Sequence, residues 1–232
     1  MKELLSDIFK SMNIEADTKK FEKFSEMLLR TNEVMNLTAI TEPREVAIRH
    51  FADCVALLGV ADFKKKSVID VGCGAGFPGY PLRLAEESIS LTLLDALAKR
   101  IGFLQNVCDT LGTTDVECVH ARAEEFAAKK EYRESYDIAV SRAVADLSML
   151  AELTLPFVKK GGIFIAMKAQ DCDAELEGAK NAIKILGGEL IERKDYPLYD
   201  TGITHTARII KKVSDTPAKY PRRFAKIKSQ PL

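Results

Sequence analysis

The run Val68-Ile69-Asp70-Val71-Gly72-Cys73-Gly74-Ala75-Gly76-Phe77-Pro78-Gly79 restricts the fold more tightly than any other part of the chain. An apolar, β-rich stretch enters a turn with glycine at alternate positions, and Pro78 follows near the start of a helix. Glycines let the backbone come close to a ligand, and the helix N-terminus brings free amides to the same place. Strand, glycine turn and helix in that order describe one unit of an α/β sheet that receives a ligand at its carboxyl edge.

The chain beyond repeats the alternation. Ser67–Val71, Ser90–Asp95, Val116–His120, Tyr136–Ser141 and Gly162–Lys168 are short β-rich runs, with helical stretches near 78–87, 97–112, 146–158 and 172–187. Right-handed crossovers between such units build a doubly wound, mostly parallel sheet. Two further runs, Glu189–Asp195 and Thr206–Lys212, leave little room for a helix between them and should pair antiparallel. The expectation is an α/β fold with a seven-stranded sheet. Ahead of it, residues 1–60 read as a helical extension. Phe21, Phe24, Leu28, Thr31 and Met35 follow three-four spacing, and Met27 and Val34 widen the stripe. Asn36-Leu37-Thr38 makes a polar elbow. Thr41 is the expected cap of a helix with Pro43 in its first turn, and Val46, Phe51, Val55 and Leu58 carry its apolar face to Gly59. The expected division is 1–60, a sheet domain over 61–213 and a basic tail over 214–232.

Gly74, Gly76 and Gly79 also match the G-x-G-x-x-G spacing of dinucleotide-binding turns. Asp70 argues against a pyrophosphate, which a carboxylate at the strand's end repels. The ammonium and sulfonium of S-adenosylmethionine would be attracted instead. Asp95, at the tip of the second strand, stands where both cofactor classes bind ribose hydroxyls; the other reading is a helix cap. Glu124, after the third strand, is placed to contact an adenine edge or to open a helix as a first-turn acid. Arg142, just beyond the fourth strand, faces the cleft as a candidate for substrate positioning and cofactor contact; the other reading is an ordinary surface arginine.

Hydrophobic residues at 47% and charged residues at 29% are ordinary for a globular protein. No apolar run approaches the roughly 20 residues that span a bilayer, and acids interrupt the N-terminal apolar stretch, so a cytoplasmic protein without membrane contact is expected. Cys54, Cys73, Cys108, Cys118 and Cys172 show no C-x-x-C spacing and the three histidines are isolated, so no metal is expected. The zero net charge is unevenly placed. Residues 208–232 hold eight bases against one acid, a net of +7, which leaves 26 bases against 33 acids, −7, elsewhere. A polyanion would be held at that end, and a merely solvated tail would carry the same composition.

Taken in order, these residues resemble the ribosomal RNA guanine-N7 methyltransferase G family, also called glucose-inhibited division protein B, over nearly the whole chain. The resemblance is carried by Asn36-Leu37-Thr38, Arg49-His50-Phe51-x-Asp53, Asp70 to Gly79, Lys99-Arg100-x-x-Phe103-Leu104, Arg122-Ala123-Glu124, Ser141-Arg142-Ala143 and Tyr220-Pro221-Arg222-Arg223. The chain departs from the family at Cys54, where serine is usual, at Tyr80, where an aliphatic residue is common, and at Ala169, where glycine is expected. Its tail lacks the usual Gly-x-Pro after the basic pair.

The resemblance implies a class I S-adenosylmethionine methyltransferase of Rossmann-like fold. The implied reaction is methylation of N7 of a guanine in 16S ribosomal RNA, within an assembling small subunit, by a monomer. It sets Gly72, Phe77, Ala123 and Glu124 against the cofactor and Arg142 in the active cleft. The residue reading adds Asp70, Gly74, Gly76 and Asp95 to the cofactor site. Candidates for RNA contact are Arg49, His50, Lys99, Arg100, Lys168, Arg222 and Arg223; for His50 the competing role is core-facing or capping. Guanine N7 presents a lone pair at neutral pH, so no general base is demanded. The Asn-Pro-Pro-Tyr motif of amine methylation and the Pro-Cys pair of pyrimidine attack are both missing. A small-molecule methyltransferase and a nicotinamide-dependent oxidoreductase remain as alternatives.

Overall fold

Side chains alternate between two cores along every central strand, as a pleated sheet covered on both faces requires. In the computed structural model, which describes residues 1–142, 146–169 and 173–232, one sheet contains all seven strands. These are β1 (Ser67–Val71), β2 (Ser90–Asp95), β3 (Val116–His120), β4 (Tyr136–Ser141), β5 (Val158–Ala169), β6 (Gly188–Pro197) and β7 (Thr204–Lys212). The order is β3-β2-β1-β4-β5-β7-β6, with β3 to β5 parallel and β7 antiparallel to both β5 and β6. Val68, Leu93, Val140, Ile165 and Ile209 face one core, while Ile69, Leu94, Ala139, Phe164 and Ile210 face the other. β5 begins earlier than its sequence pattern suggests. Pro156, which has no amide to extend an α ladder, ends the preceding helix at Thr154. Two residues named above, Ala143 and Cys172, lie outside the described residues.

The N-terminal helices α1 (Lys2–Ser11) and α2 (Thr18–Met35) pack into the first of these cores. Asp17 caps α2 by accepting the Lys19 amide at 2.9 Å, and Asn36 ends it in the left-handed conformation. Phe21, Phe24 and Leu28 are buried as their spacing predicts, but Val34 is 81% exposed and does not widen the stripe. The next helical stretch, α3 (residues 43–59), is capped by Glu42, which accepts the Glu45 amide at 2.9 Å; Thr41 is not the cap. Val46–Ala52 within it is π-wound, a form found mostly at functional positions. Phe24 lies 5.5 Å from Phe77 and 5.1 Å from Tyr80, ring centre to ring centre, so the extension reaches the glycine turn. The Tyr80 hydroxyl, at 2.8 Å from Thr113 Oγ1, has a partner in the core.

Between β1 and α4 (Gly79–Ala85) the chain turns left-handed at Gly72, Gly74 and Gly76, with φ of 74°, 59° and 99°. Any Cβ at Gly79 would stand 2.9 Å from Asp70. That contact brings the Gly79 amide to Asp70 Oδ2 at 2.7 Å and closes the turn from inside the core. Asp70 is fully buried, and burial pushes its carboxyl up to about 7.

The helix α5 (Ala98–Leu111) packs on the same face as the extension, and on the other face lie α6 (Ala123–Phe126), α7 (Leu147–Thr154) and α8 (Asp173–Ile185). The C-terminal segment returns along this face. Arg133 donates to Thr216 O at 2.7 Å and to Tyr220 O at 2.9 Å. Lys212 is buried with Nζ 2.8 Å from Leu155 O and 2.9 Å from Glu134. Arg222 grips the fully buried Glu152 of α7 through two parallel bonds, at 2.8 and 2.6 Å. The segment ends in α9 (Phe224–Ser229).

Two consequences are measurable. Arg222→Met should leave the Glu152 charge buried and unpaired, costing about 3 kcal/mol and lowering the melting temperature by roughly 6–12 °C; adding Glu152→Leu should restore most of the loss. For Asp70 the folded value lies above the ordinary 3.8, so its contribution is intact below that value and is lost as pH rises toward 7. Asp70→Asn should therefore melt higher relative to the unaltered protein at pH 8 than at pH 4, by about 5 °C or more. A difference that does not move with pH would contradict the buried carboxyl.

Candidate active site

The order of the strands reverses between β1 and β4, and ligands of open α/β sheets bind at the carboxyl edge of such a point. Ser141 Oγ ties the two tips together by donating to Val71 O at 2.9 Å. Beside them opens a crevice of about 340 Å³, walled by Gly72, Asp95, Leu97, Ala123, Glu124 and Leu150 among others. A larger groove of about 660 Å³ lies between residues 11–15, 55–59 and 196–199, away from the glycine turn. The smaller one has the convergent polar groups that a specific site needs.

Asp95 is nearly buried and joins the turn to β2. Its Oδ2 accepts the Gly74 amide at 3.0 Å and Arg100 Nη1 at 3.2 Å, while Oδ1 accepts the Leu97 amide at 2.9 Å. One lone pair on Oδ1 is left for a ligand hydroxyl. Next to it, Leu97, Ala123 and Leu150 form an apolar slot, and a Cβ at Gly72 would meet nothing within 4 Å. A sugar edge against a carboxylate and a flat base in an apolar slot describe a nucleoside. Pyrophosphate fits poorly. The Gly72, Cys73, Gly74, Gly76, Phe77 and Gly79 amides all bond within the protein, so the turn offers no nest of free donors to a phosphate.

Asp70 stands behind the turn, not on the crevice wall. Its role here is to hold Gly79, and its Oδ1 is buried without a hydrogen-bond partner among the described residues. Electrostatic attraction to a cationic ligand therefore does not act by direct contact with this carboxylate.

Arg142, at the tip of β4, is held from three sides. Its Nη1 donates to Arg49 O at 3.0 Å and reaches Asp53 Oδ2 at 3.4 Å, and its Nη2 donates to His50 Nδ1 at 3.1 Å. The guanidinium also lies 4.9 Å above the Phe77 ring, a cation–π distance. His50 stacks on the same Phe77, with centroids 4.4 Å apart. Because arginine only donates, His50 Nδ1 is the acceptor, and its Nε2–H donates to Thr38 Oγ1 at 2.8 Å. Burial and the neighbouring Arg142 push His50 down to about 3, so it is a neutral orienting group. Across the cluster, Asp53 Oδ1 accepts from Tyr196 Oη at 3.1 Å and lies 2.8 Å from His205 Nδ1. The hydrogen bond to Asp53 raises His205 above its ordinary value despite burial.

Sequence reasoning missed Tyr196 and His205 and gave Asp53 no role. The His50/Asp53 spacing, one helical turn, was the available signal. Of the proposed RNA contacts, Lys99 and Arg223 are exposed. Arg49 is half-exposed and paired with Glu45. Arg100 is engaged with Asp95. Lys168 and Arg222 are turned inward: Lys168 Nζ is 2.6 Å from Glu175, and Arg222 is bound to Glu152, so neither presents a free charge to a phosphate. Among the described residues no cluster of three His, Cys, Asp or Glu side chains could hold a metal, and no helix is long and apolar enough to cross a membrane.

The geometry can be set beside known proteins. Residues 17–196 match the family model described as rRNA small subunit methyltransferase G. The ribosomal RNA small subunit methyltransferase G of Alkaliphilus oremlandii strain OhILAs is 46% identical over 236 residues, covering 100% of this chain and 99% of that protein. The protein of the same name from Clostridium perfringens strain 13 is 43% identical over 234 residues, covering 99% and 98%. Among solved structures, M. jannaschii TYW2 in complex with AdoMet aligns with a TM-score of 0.54 at 15% identity, over 69% of this chain and 75% of that one. The [4+2]-cyclase SpnF aligns with a TM-score of 0.53 at 15% identity, over 70% and 82%. These two establish the fold alone, and a cyclase among them shows how little chemistry the fold dictates. Family membership rests on the near full-length relatives and the matched model: the chain belongs to the rRNA small subunit methyltransferase G family.

Proposed function

We propose that this chain transfers the methyl group of S-adenosylmethionine to N7 of a guanine in small-subunit (16S) ribosomal RNA. The observation that carries the reading is a glycine turn whose amides, that of Ala75 apart, are bonded within the protein, beside an apolar slot where Asp95 keeps one acceptor open. When bound, S-adenosylmethionine supplies a methyl on a sulfonium, open to in-line attack.

The chain's own residues position and exclude. Gly72, Asp95, Ala123 and Glu124 hold the nucleoside part of the donor, and Asp70 fixes the turn from behind. Phe77 and Arg142 border the reactive end. N7 of guanine needs no proton removed, so the task is orientation and removal of water. Arg142 suits it: a guanidinium already fixed by Arg49 O, His50 and Asp53 can donate to guanine O6 with little further ordering. His50 acts through Arg142, since both of its ring nitrogens are engaged. The hydrogen bond between His205 and Asp53 ties the start of β7 to the group that holds Arg142. Lys99, Arg223 and the outward part of Arg49 meet phosphates. The substrate is the RNA of an assembling subunit, and the enzyme acts as a cytoplasmic monomer.

Tritiated donor incubated with small ribosomal subunits from a strain lacking the modification should label RNA at a guanine that becomes open to N7-methyl-specific cleavage. Label confined to small molecules would remove the RNA reading, and tight NAD binding without S-adenosylhomocysteine binding would remove the cofactor reading. Arg142→Lys, which keeps the charge but loses the planar fork, should lower kcat about 100-fold with the melting temperature nearly unchanged.

A further inference from the structure

One wall of the nucleoside crevice comes from an unexpected part of the chain. Beside the tips of β1 and β2, the loop after β3 and the inner face of α7, the crevice is lined by Phe224, the first residue of α9. This residue lies just after the basic pair, where the chain departs from the Gly-x-Pro expected of the family. In its place the sequence reads Phe224-Ala225-Lys226-Ile227, and the structure winds it into a short helix.

Phe224 is fixed from both directions. Two residues earlier, Arg222 is bound to the buried Glu152, whose helix also supplies Met149, Leu150 and Leu153 to the crevice wall. One helical turn later, Ile227 is fully buried. Opposite, the Arg122 guanidinium sits 5.8 Å from the centre of the Phe224 ring, immediately before Ala123 and Glu124. The ring is thus held at the slot by an anchor on each side and is only partly exposed.

An aromatic face at the edge of a slot for a flat base gives stacking surface at small entropic cost, since few rotamers are left to freeze. We propose that Phe224 is a further cofactor-binding residue, contacting the nucleoside base of the donor and making the C-terminal segment part of the cofactor site. The inference rests on the methyl-donor reading above.

The chain has no tryptophan, so Phe224→Trp introduces a single emitter at the position in question. Its fluorescence should change saturably with S-adenosylhomocysteine and with adenosine, but not with methionine. In calorimetry Phe224→Ala should bind S-adenosylhomocysteine about tenfold more weakly, a step of about 1.4 kcal/mol. Lys228→Ala, exposed on the same helix, should bind as the unaltered protein does. Calorimetric saturation of Phe224→Trp without any fluorescence response, or unaltered affinity in Phe224→Ala, would overturn the inference alone. An unaltered protein that gives no heat with S-adenosylhomocysteine would overturn the donor reading and the inference with it.

Discussion

Oδ2 of Asp70 accepts the Gly79 amide at 2.7 Å in the dry interior, and Oδ2 of Asp95 accepts the Gly74 amide at 3.0 Å at its margin. Between Asp70 and Gly79 the backbone must pass through three left-handed residues, which only glycine does cheaply. Hydrogen bonds of this kind are worth about 1 kcal/mol each, more where the carboxyl is charged, enough to bias a glycine turn toward one shape. The closure also decides what the turn can bind. With all its amides but that of Ala75 engaged, it presents shape and an open flank at Gly72, not a cluster of donors. A sequence pattern shared with dinucleotide sites therefore serves a ligand without phosphate. Spacing alone does not separate these two uses; the partners of the amides do.

The other half of the site is made by elements far apart in the chain. Phe77 leaves the turn and stacks against His50 from the N-terminal extension, and both press on Arg142 from β4. Asp53 joins this group to Tyr196 and His205, at the ends of β6 and β7. The extension thus fixes Arg142 as well as covering the sheet. A guanidinium bonded to a carbonyl, an imidazole and a carboxylate has lost its rotamer freedom during folding, before any substrate arrives. That ordering is the form of preorganisation that a positioning site needs.

Much of the fold was readable because periodicity is local. The β-rich runs, the helices between them and the glycine turn all follow from neighbours in sequence. The order of the last two strands is different. β7 lies inside, between β5 and β6, and its Ala207, Ile209 and Ile210 are buried, whereas β6 carries Glu189, Glu192, Arg193 and Lys194. Charge of that density suits an edge strand, so a signal existed in composition, though not in spacing. His205 gave no such signal. It reaches the cleft only because antiparallel pairing sets it opposite Ala169, at the carboxyl end of β5. The basic C-terminal segment misled for the same reason. Its charges suggest phosphates, yet Lys212 and Arg222 answer Glu134 and Glu152, roughly 70–80 residues earlier in the chain. Composition counts charges and is blind to which of them face inward.

The titratable groups near the cleft are committed to structure, and this agrees with the chemistry of a ring nitrogen. His50 is held neutral with both nitrogens bonded, Asp70 sits behind the turn, and Asp53 is shared among Arg142, Tyr196 and His205. A reaction that required proton removal would need one of them free to change partners, and each such change would loosen Arg142. Guanine N7 makes no such demand, because its lone pair is already available. Fixing every polar group then carries no chemical cost, and the rigidity gained serves the alignment of nucleophile, methyl carbon and leaving sulfur. A similar fold supports a cyclase elsewhere, so the fold alone does not select the reaction; in the proposed reading that task falls to the cluster around Arg142 and Phe77.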